Sequence, residues 1–252
     1  MENSEKFVFA DFTYKEYERL LVDANSFYSF ISHREYLEQN PVKPFLIWRH
    51  DLDMSIENAL RFAEIENKLG IKATYFIHLH SEYYHFFEKE TTRMLNEIKS
   101  LGHILALHFD THFYDIKSES ELDFYVNKEK VILEELFDCR INVFSFHNTN
   151  EFILNCNKVS YGGLINTYAS EFQKKLPYCS DSYGIWRFER LPDIIKQRKY
   201  NGLQVLTHPE LWSDEIRSPY QRVMDIITRR ADQVKSNYDS FLLNNGRNPI
   251  DW

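Results

Sequence analysis

Residues 46–55 read LIWRHDLDMS, an apolar run that stops on Arg-His-Asp-x-Asp. Leu46, Ile47 and Trp48 have the character of a buried strand, and Arg49, His50, Asp51 and Asp53 follow at once. Side chains alternate along an extended chain, so Asp51 and Asp53 point the same way. Two carboxylates held that close repel each other unless a cation or a shared proton offsets the charge. Either the pair faces open water, or it serves a metal or proton-transfer site.

Working outward, Pro41 and Pro44 punctuate the chain before this strand, and Ser55 follows it as the cap of a helix running to about Leu69. Asp53 is the competing cap, since Asp is also a good N-cap. Ala59, Phe62, Ala63 and Ile65 form the inward face of that helix, and Gly70 ends it. Upstream, a helix is expected over 14–24 and a second helical piece over 26–38. Downstream, strands are expected over 71–79, 103–108, 141–147, 164–169 and 203–208. Helices over 90–100 and 118–137, a short one near Pro192 and a long one from about Pro219 alternate with them. The β-α-β-α order implies a parallel sheet covered by helices, either open and doubly wound or closed as a barrel. Asp51, Asp53, His108, His147 and His208 all fall at C-terminal strand ends, the rim where barrel enzymes place reacting groups.

Composition narrows the alternatives. The chain has 252 residues, 43% of them hydrophobic and 16% aromatic, which allows one sizeable core. Seven Gly and seven Pro speak against disorder and long linkers. A formal charge of −8 and the absence of a basic stripe exclude a nucleic-acid footprint, and the Lys128–Lys130 and Arg229–Arg230 clusters read as solvated helix faces. Cys139, Cys156 and Cys179 are odd in number and widely spaced, so they are expected reduced, in a reducing compartment. The sequence MENSEKFVFADFTYKEYERLL has no export-signal pattern, and no apolar run is long enough to span a bilayer. The expectation is a cytoplasmic protein with no membrane span and no nucleic-acid partner; its oligomeric state is left open.

His108 and His112 lie four apart in LHFDTH, a spacing that lets a turn aim both imidazoles at one point. Ten histidines in 252 residues give roughly 0.4 such pairs by chance, so the spacing alone is weak. Joined to one Asp it supplies two His and one carboxylate, a familiar open site for a catalytic divalent metal. The second Asp is then free to act as general base. His78, His80 and His85 fit no metal spacing and read as loop residues, and His50 is a spare candidate ligand.

RHDLDMS, GIKATYF (70–76), GHILALHFDTH (102–112) and VLTHPELW (205–212) together resemble the polysaccharide deacetylases, the NodB-homology group or carbohydrate esterase family 4. The resemblance covers residues 44–215 and implies a distorted TIM-like (β/α)7 barrel hydrolysing N-acetyl or related groups with one divalent metal ion. Zinc is expected first, with cobalt, nickel or manganese as alternatives. It implies a single domain, with residues 1–43 as an N-terminal helical extension, 44–215 as the catalytic core and 216–252 as a C-terminal helix. By this resemblance Asp51 is the base, Asp53, His108 and His112 are the metal ligands, and His208 of Leu206-Thr207-His208 is the general acid. Leu52 separates aspartates that are adjacent in the family, so the two Asp roles are assigned by chain order. His147 stands where the family places an Arg that holds the base, and Asp181 in SDSYGIW is the candidate partner fixing the His208 tautomer. Trp186 and Trp212 could stack on a sugar face, and Arg49 could pair with Asp51 or Asp181 near the substrate. The leading expectation is a metal-dependent deacetylase of an N-acyl sugar, with a small-molecule or glycan-precursor substrate. The alternatives are a hydrolase of non-sugar amides or ureides and a catalytically silent, glycan-binding relative.

Overall fold

The computed structural model describes residues 8–39, 41 and 44–247; the remaining positions, including the first seven and last five of the expected extensions, lie outside the described residues. Strand β2 (Phe45–Leu52) is buried along its whole length. Its even-numbered residues Leu46, Trp48 and Leu52 join the main core under the helices, while Phe45 and Ile47 pack on the opposite side with Ala169 and Phe172. A strand covered on both faces reads as a nearly continuous apolar run, and that is why LIW precedes the charged residues.

β2 pairs in parallel with β3 (Thr74–His78) and with β9 (Gly202–Thr207), and at its start with β1 (Ser29–Phe30). From β3 the sheet continues through β4 (Ile104–Asp110) and β5 (Val143–His147) to β7 (Leu164–Asn166), with β6 (Ser160–Tyr161) antiparallel at that edge. Beyond β9 lies β8 (Tyr178–Ser180). The order β7-β5-β4-β3-β2-β9-β8 is seven parallel strands, the expected α/β class and distorted (β/α)7 barrel. The sheet curls: Arg49 of β2 donates to Thr167, just past β7, at 2.7 Å. Among the described residues no pairing joins β8 to β6 or β7, so the barrel is split there.

Helices α1 (Tyr14–Asn25), α3 (Ile56–Lys68), α4 (Lys89–Ser100) and α5 (Glu119–Phe137) contribute to the main core. Helix α2 (His33–Gln39) and the two-residue β1 occupy the stretch expected as one helical piece. Later in the chain come α6 (Glu151–Asn155), α7 (Ser170–Gln173), α8 (Leu191–Gln197) and α9 (Pro219–Asn244). The α1 stretch is an integral layer: Tyr17 stacks on Phe62 of α3 with ring centroids 3.7 Å apart. Between these helices and the sheet, buried Glu66 accepts from the hydroxyls of Tyr17 (2.6 Å) and Tyr75 (2.5 Å) and lies 2.8 Å from His50 Nε2. Burial pushes the Glu66 carboxyl up, but His50, His103 and the Tyr17 hydroxyl hold it below the usual range. His50 is therefore on the helix side of the sheet, and period-two alternation removes it as a spare metal ligand. No helix among the described residues is long and apolar enough to cross a membrane. No disulfide joins Cys139, Cys156 and Cys179.

Candidate active site

The odd-numbered face of β2 brings Arg49 and Asp51 into the barrel, and Asp53 follows just past the strand end. Ser55, not Asp53, caps α3, accepting from the Asn58 backbone N–H at 3.2 Å. Asp53 is thus free of a capping role. Parallel register sets His78 opposite His108, His108 opposite Ser145, and Asp110 opposite His147. These residues share one rim because each strand ends at the same level.

Three donor atoms converge there. Asp53 Oδ1 lies 3.1 Å from His108 Nε2 and 3.2 Å from His147 Nδ1, and the two nitrogens are 3.2 Å apart. Asp53 Oδ1 is buried without a hydrogen-bond partner, while the two nitrogens are hydrogen-bonded to each other. His78 stands beside them, its ring 4.2 Å from that of His147, and neither of its buried nitrogens has a hydrogen-bond partner. One ligand atom each from Asp53, His78 and His147 also falls within 4.8 Å. Ligands at the usual zinc distance of about 2.0–2.1 Å in a tetrahedron are about 3.3 Å from one another. The Asp53–His108–His147 triangle has edges of that size, so the residues present fit a divalent cation. Burial raises the Asp53 carboxyl, but its contacts with His108, His147 and His208 outweigh that and hold Asp53 well below the ordinary range.

His112 is not part of this cluster. Its side chain is half exposed, and its backbone N–H and Nδ1 lie 2.8 and 3.2 Å from Asp110 Oδ1. The chain turns after β4, so the i,i+4 spacing does not fall on one helical face; the second imidazole at Asp53 comes from β5. His147 is thus directed at Asp53, not at Asp51 as its assignment to the base-holding position implied. His78, expected in a loop, is the last residue of β3 and buried. The rim criterion that singled out His108 and His147 applied equally to it.

Asp51 is buried below this triangle. Arg49 Nη2 approaches its Oδ2 at 3.4 Å, and the Ser145 hydroxyl donates to its Oδ1 at 3.4 Å. The same hydroxyl lies 2.7 Å from His108 Nδ1, which links Asp51 to the far side of the His108 ring. Arg49, expected near substrate, is almost fully buried and pairs with Asp51, not with Asp181. It makes the contact with Asp51 that the family resemblance implied for His147.

Across the mouth, Asp181 follows β8 and His208 follows β9. Asp181 accepts from His208 Nδ1–H (2.6 Å), from the His208 backbone N–H (2.9 Å) and from Trp212 Nε1–H (2.8 Å). Burial disfavours the charged imidazolium of His208, but Asp181, with Asp53 and Glu210, more than offsets it and lifts the pKa to about 10. His208 Nε2 faces the triangle, 3.9 Å from Asp53 Oδ2. Trp212 is 1% exposed and offers no face to a sugar; it holds Asp181 and packs on Phe12, Tyr17 and Phe62. Trp186 is half-buried, stacked on Phe12 with its indole N–H on Asp11. Glu210, which no sequence signal singled out, is buried with Oε2 unpartnered. Burial and the neighbouring Asp53 push its carboxyl well above the usual range.

No family model matches the chain, and no curated protein matches it. Solved structures similar to it include family 4 carbohydrate esterases. One is a family 4 pseudoenzyme from Bacillus anthracis, at 18% identity over 77% of this chain and 62% of that one, with a TM-score of 0.41. The chain therefore spans less than two thirds of that protein's length. Another is a family 4 carbohydrate esterase from Bacillus anthracis, at 14% identity over 76% and 78% of the two chains, with a TM-score of 0.45. A third is the catalytic domain of a peptidoglycan N-acetylglucosamine deacetylase from Eubacterium rectale, at 18% identity over 77% and 87%, with a TM-score of 0.46.

Proposed function

We propose that the chain is a hydrolase of the polysaccharide deacetylase type that removes an acyl group from a sugar nitrogen with one divalent metal ion. The observation that carries this reading is the Asp53–His108–His147 triangle facing the Asp181-held His208 across one barrel mouth. Asp53, His108 and His147 would hold the ion, with His78 as an adjoining nitrogen. An ion bound there supplies Lewis-acid polarisation of an acyl oxygen and acidifies a water.

The chain's own residues supply the proton transfers. Asp51 shares the inward face with Asp53, and its pairing with Arg49 and Ser145 fixes its orientation. As general base it takes a proton from the attacking water. His208 is the general acid. Its Nδ1–H is committed to Asp181, so the transferable proton sits on Nε2, the atom facing the triangle. An amide needs this acid because a free amide anion leaves poorly.

The test is a substrate panel with the protein loaded in turn with zinc, cobalt, nickel and manganese. It comprises N-acetylated nucleotide sugars, chitin and peptidoglycan fragments, and non-sugar amides and cyclic ureides. Acetate release from an N-acetyl sugar, lost in Asp51→Asn while the metal stays bound, supports the reading. Turnover of ureides alone would replace the substrate class. Sugar binding with no turnover under any metal would make the chain a silent relative.

A further inference from the structure

Helix α9 (Pro219–Asn244) is docked on the barrel only through its first three turns. Arg222 and Ile226 are buried; Arg229 reaches Glu57 and Asn58, and Arg230 reaches Glu88. From residue 231 to 238 every position is exposed. Among the described residues beyond Arg230, side-chain hydrogen bonds stay within this C-terminal segment, such as Gln233 to Asn237. An isolated helical stretch of about 12–15 residues is marginal in water, so this half of α9 lacks a reason to be helical alone.

Seven of its apolar residues have a strict spacing, with exposed Leu243 lying off it. Tyr220, Met224, Ile227, Ala231, Val234, Tyr238 and Phe241 follow one another by four and three in turn over three heptads. All seven are exposed, the six larger ones from 37% at Met224 to 73% at Tyr220. The stripe runs beside the docked face, not on it. A helix lying on a bilayer or covering a globular core carries a broad face, whereas a narrow 3-4 stripe is the seam of a coiled coil.

We propose that this stripe pairs α9 with α9 of a second copy of the chain, antiparallel, to form a dimer. The seam is self-complementary in that direction: Met224 meets the partner's Phe241, Ala231 meets the partner's Val234, and Tyr238 meets the partner's Ile227. Each layer then sets a larger side chain against a smaller one, and the free tip of each helix lies along the docked half of the other. The residues flanking the seam carry little charge. Gln221, Thr228, Lys235 and Leu242 line one side and Val223, Arg230 and Asn237 the other, with Arg230 already paired to Glu88. Asp225, Asp232 and Asp239 recur every seven residues away from the seam. At about 150–250 Å² for a full aromatic ring, the exposed fractions amount to roughly 600 Å² of stripe per chain. Two copies then bury about 1,200 Å², the lower bound of specific interfaces.

The test is light scattering on the full chain at about 1–100 µM, the range where a modest interface dissociates. The expected result is a concentration-dependent rise towards twice the 30.4 kDa chain mass. Val234→Glu with Tyr238→Glu should abolish the rise and lower far-UV helicity while leaving the main melting transition in place. Mixing separately purified Ala231→Cys and Val234→Cys chains should give, on oxidation, mainly the mixed disulfide, with wild type giving none. A wild type that stays monomeric overturns the proposal, as does a dimer indifferent to the double substitution. Self-linked Ala231→Cys overturns the antiparallel arrangement. A monomer that sediments with phosphatidylserine vesicles assigns the stripe to a lipid surface instead.

Discussion

Replacing Asp181 by Asn tests the electrostatics of the mouth without changing its shape. Asn keeps the size but only one acceptor oxygen, so it removes the charge that faces the His208 imidazole at 2.6 Å and also gives up one of the hydrogen bonds that the two carboxylate oxygens accept from His208 and Trp212. In the folded protein the His208 pKa is raised from 6.5 to about 10. At about 1.4 kcal/mol per pKa unit, the gross linkage is about 5 kcal/mol. Asp53 and Glu210 share in it, so removal of Asp181 alone should cost about 2–3 kcal/mol, or about 5–10 °C in melting temperature for a chain of this size. The sign follows from a raised pKa. The stabilisation is fully present below about pH 6.5, where His208 is charged folded and unfolded alike, and is lost as the pH climbs through about 10. The assay is thermal melting of metal-free wild type and Asp181→Asn at intervals between pH 6 and 10. The gap should be widest at pH 6 and narrow towards pH 10, down to the pH-independent remainder left by the lost hydrogen bond. A gap that stays constant over that range would refute the assignment of the His208 charge to Asp181.

Three further outcomes are expected. His147→Ala and His108→Ala should each lower metal occupancy in elemental analysis by at least tenfold, with His112→Ala unchanged; loss in His112→Ala would restore the spacing-based ligand set. Asp51→Asn should retain bound metal and lose about 100-fold or more in turnover on the substrate that the panel identifies. Glu66→Ala leaves Tyr17, Tyr75 and His50 without their buried acceptor and should cost about 3 kcal/mol or more in denaturant unfolding; a change below 1 kcal/mol would mean that water replaces the carboxylate.

The alternation of apolar strands and amphipathic helices was legible because period and burial are local properties: LIWRHDLD, TYFIH and ILALHFD each carry their own two-sided burial. The C-terminal rim was legible for the same reason, since strand ends mark one side of a parallel sheet. Asp51, Asp53, His108, His147 and His208 could be picked out as a group from that logic alone; Asp181 came only with the family resemblance. Their partnerships could not. Which imidazole meets Asp53 depends on how far the sheet curls and how the chain turns after β4, so His147 arrives from across β4 while His112 swings out to Asp110. Arg49 reaches Asp51 because both lie on the inward face of one strand, and Trp212 turns inward to Asp181 because the core under α1 and α3 closes over it. Glu210 is buried only because the mouth folds over the turn that follows His208. Sequence periodicity fixes which face a side chain occupies; the distance between faces of different strands is a property of the curled sheet, and only the tertiary structure supplies it.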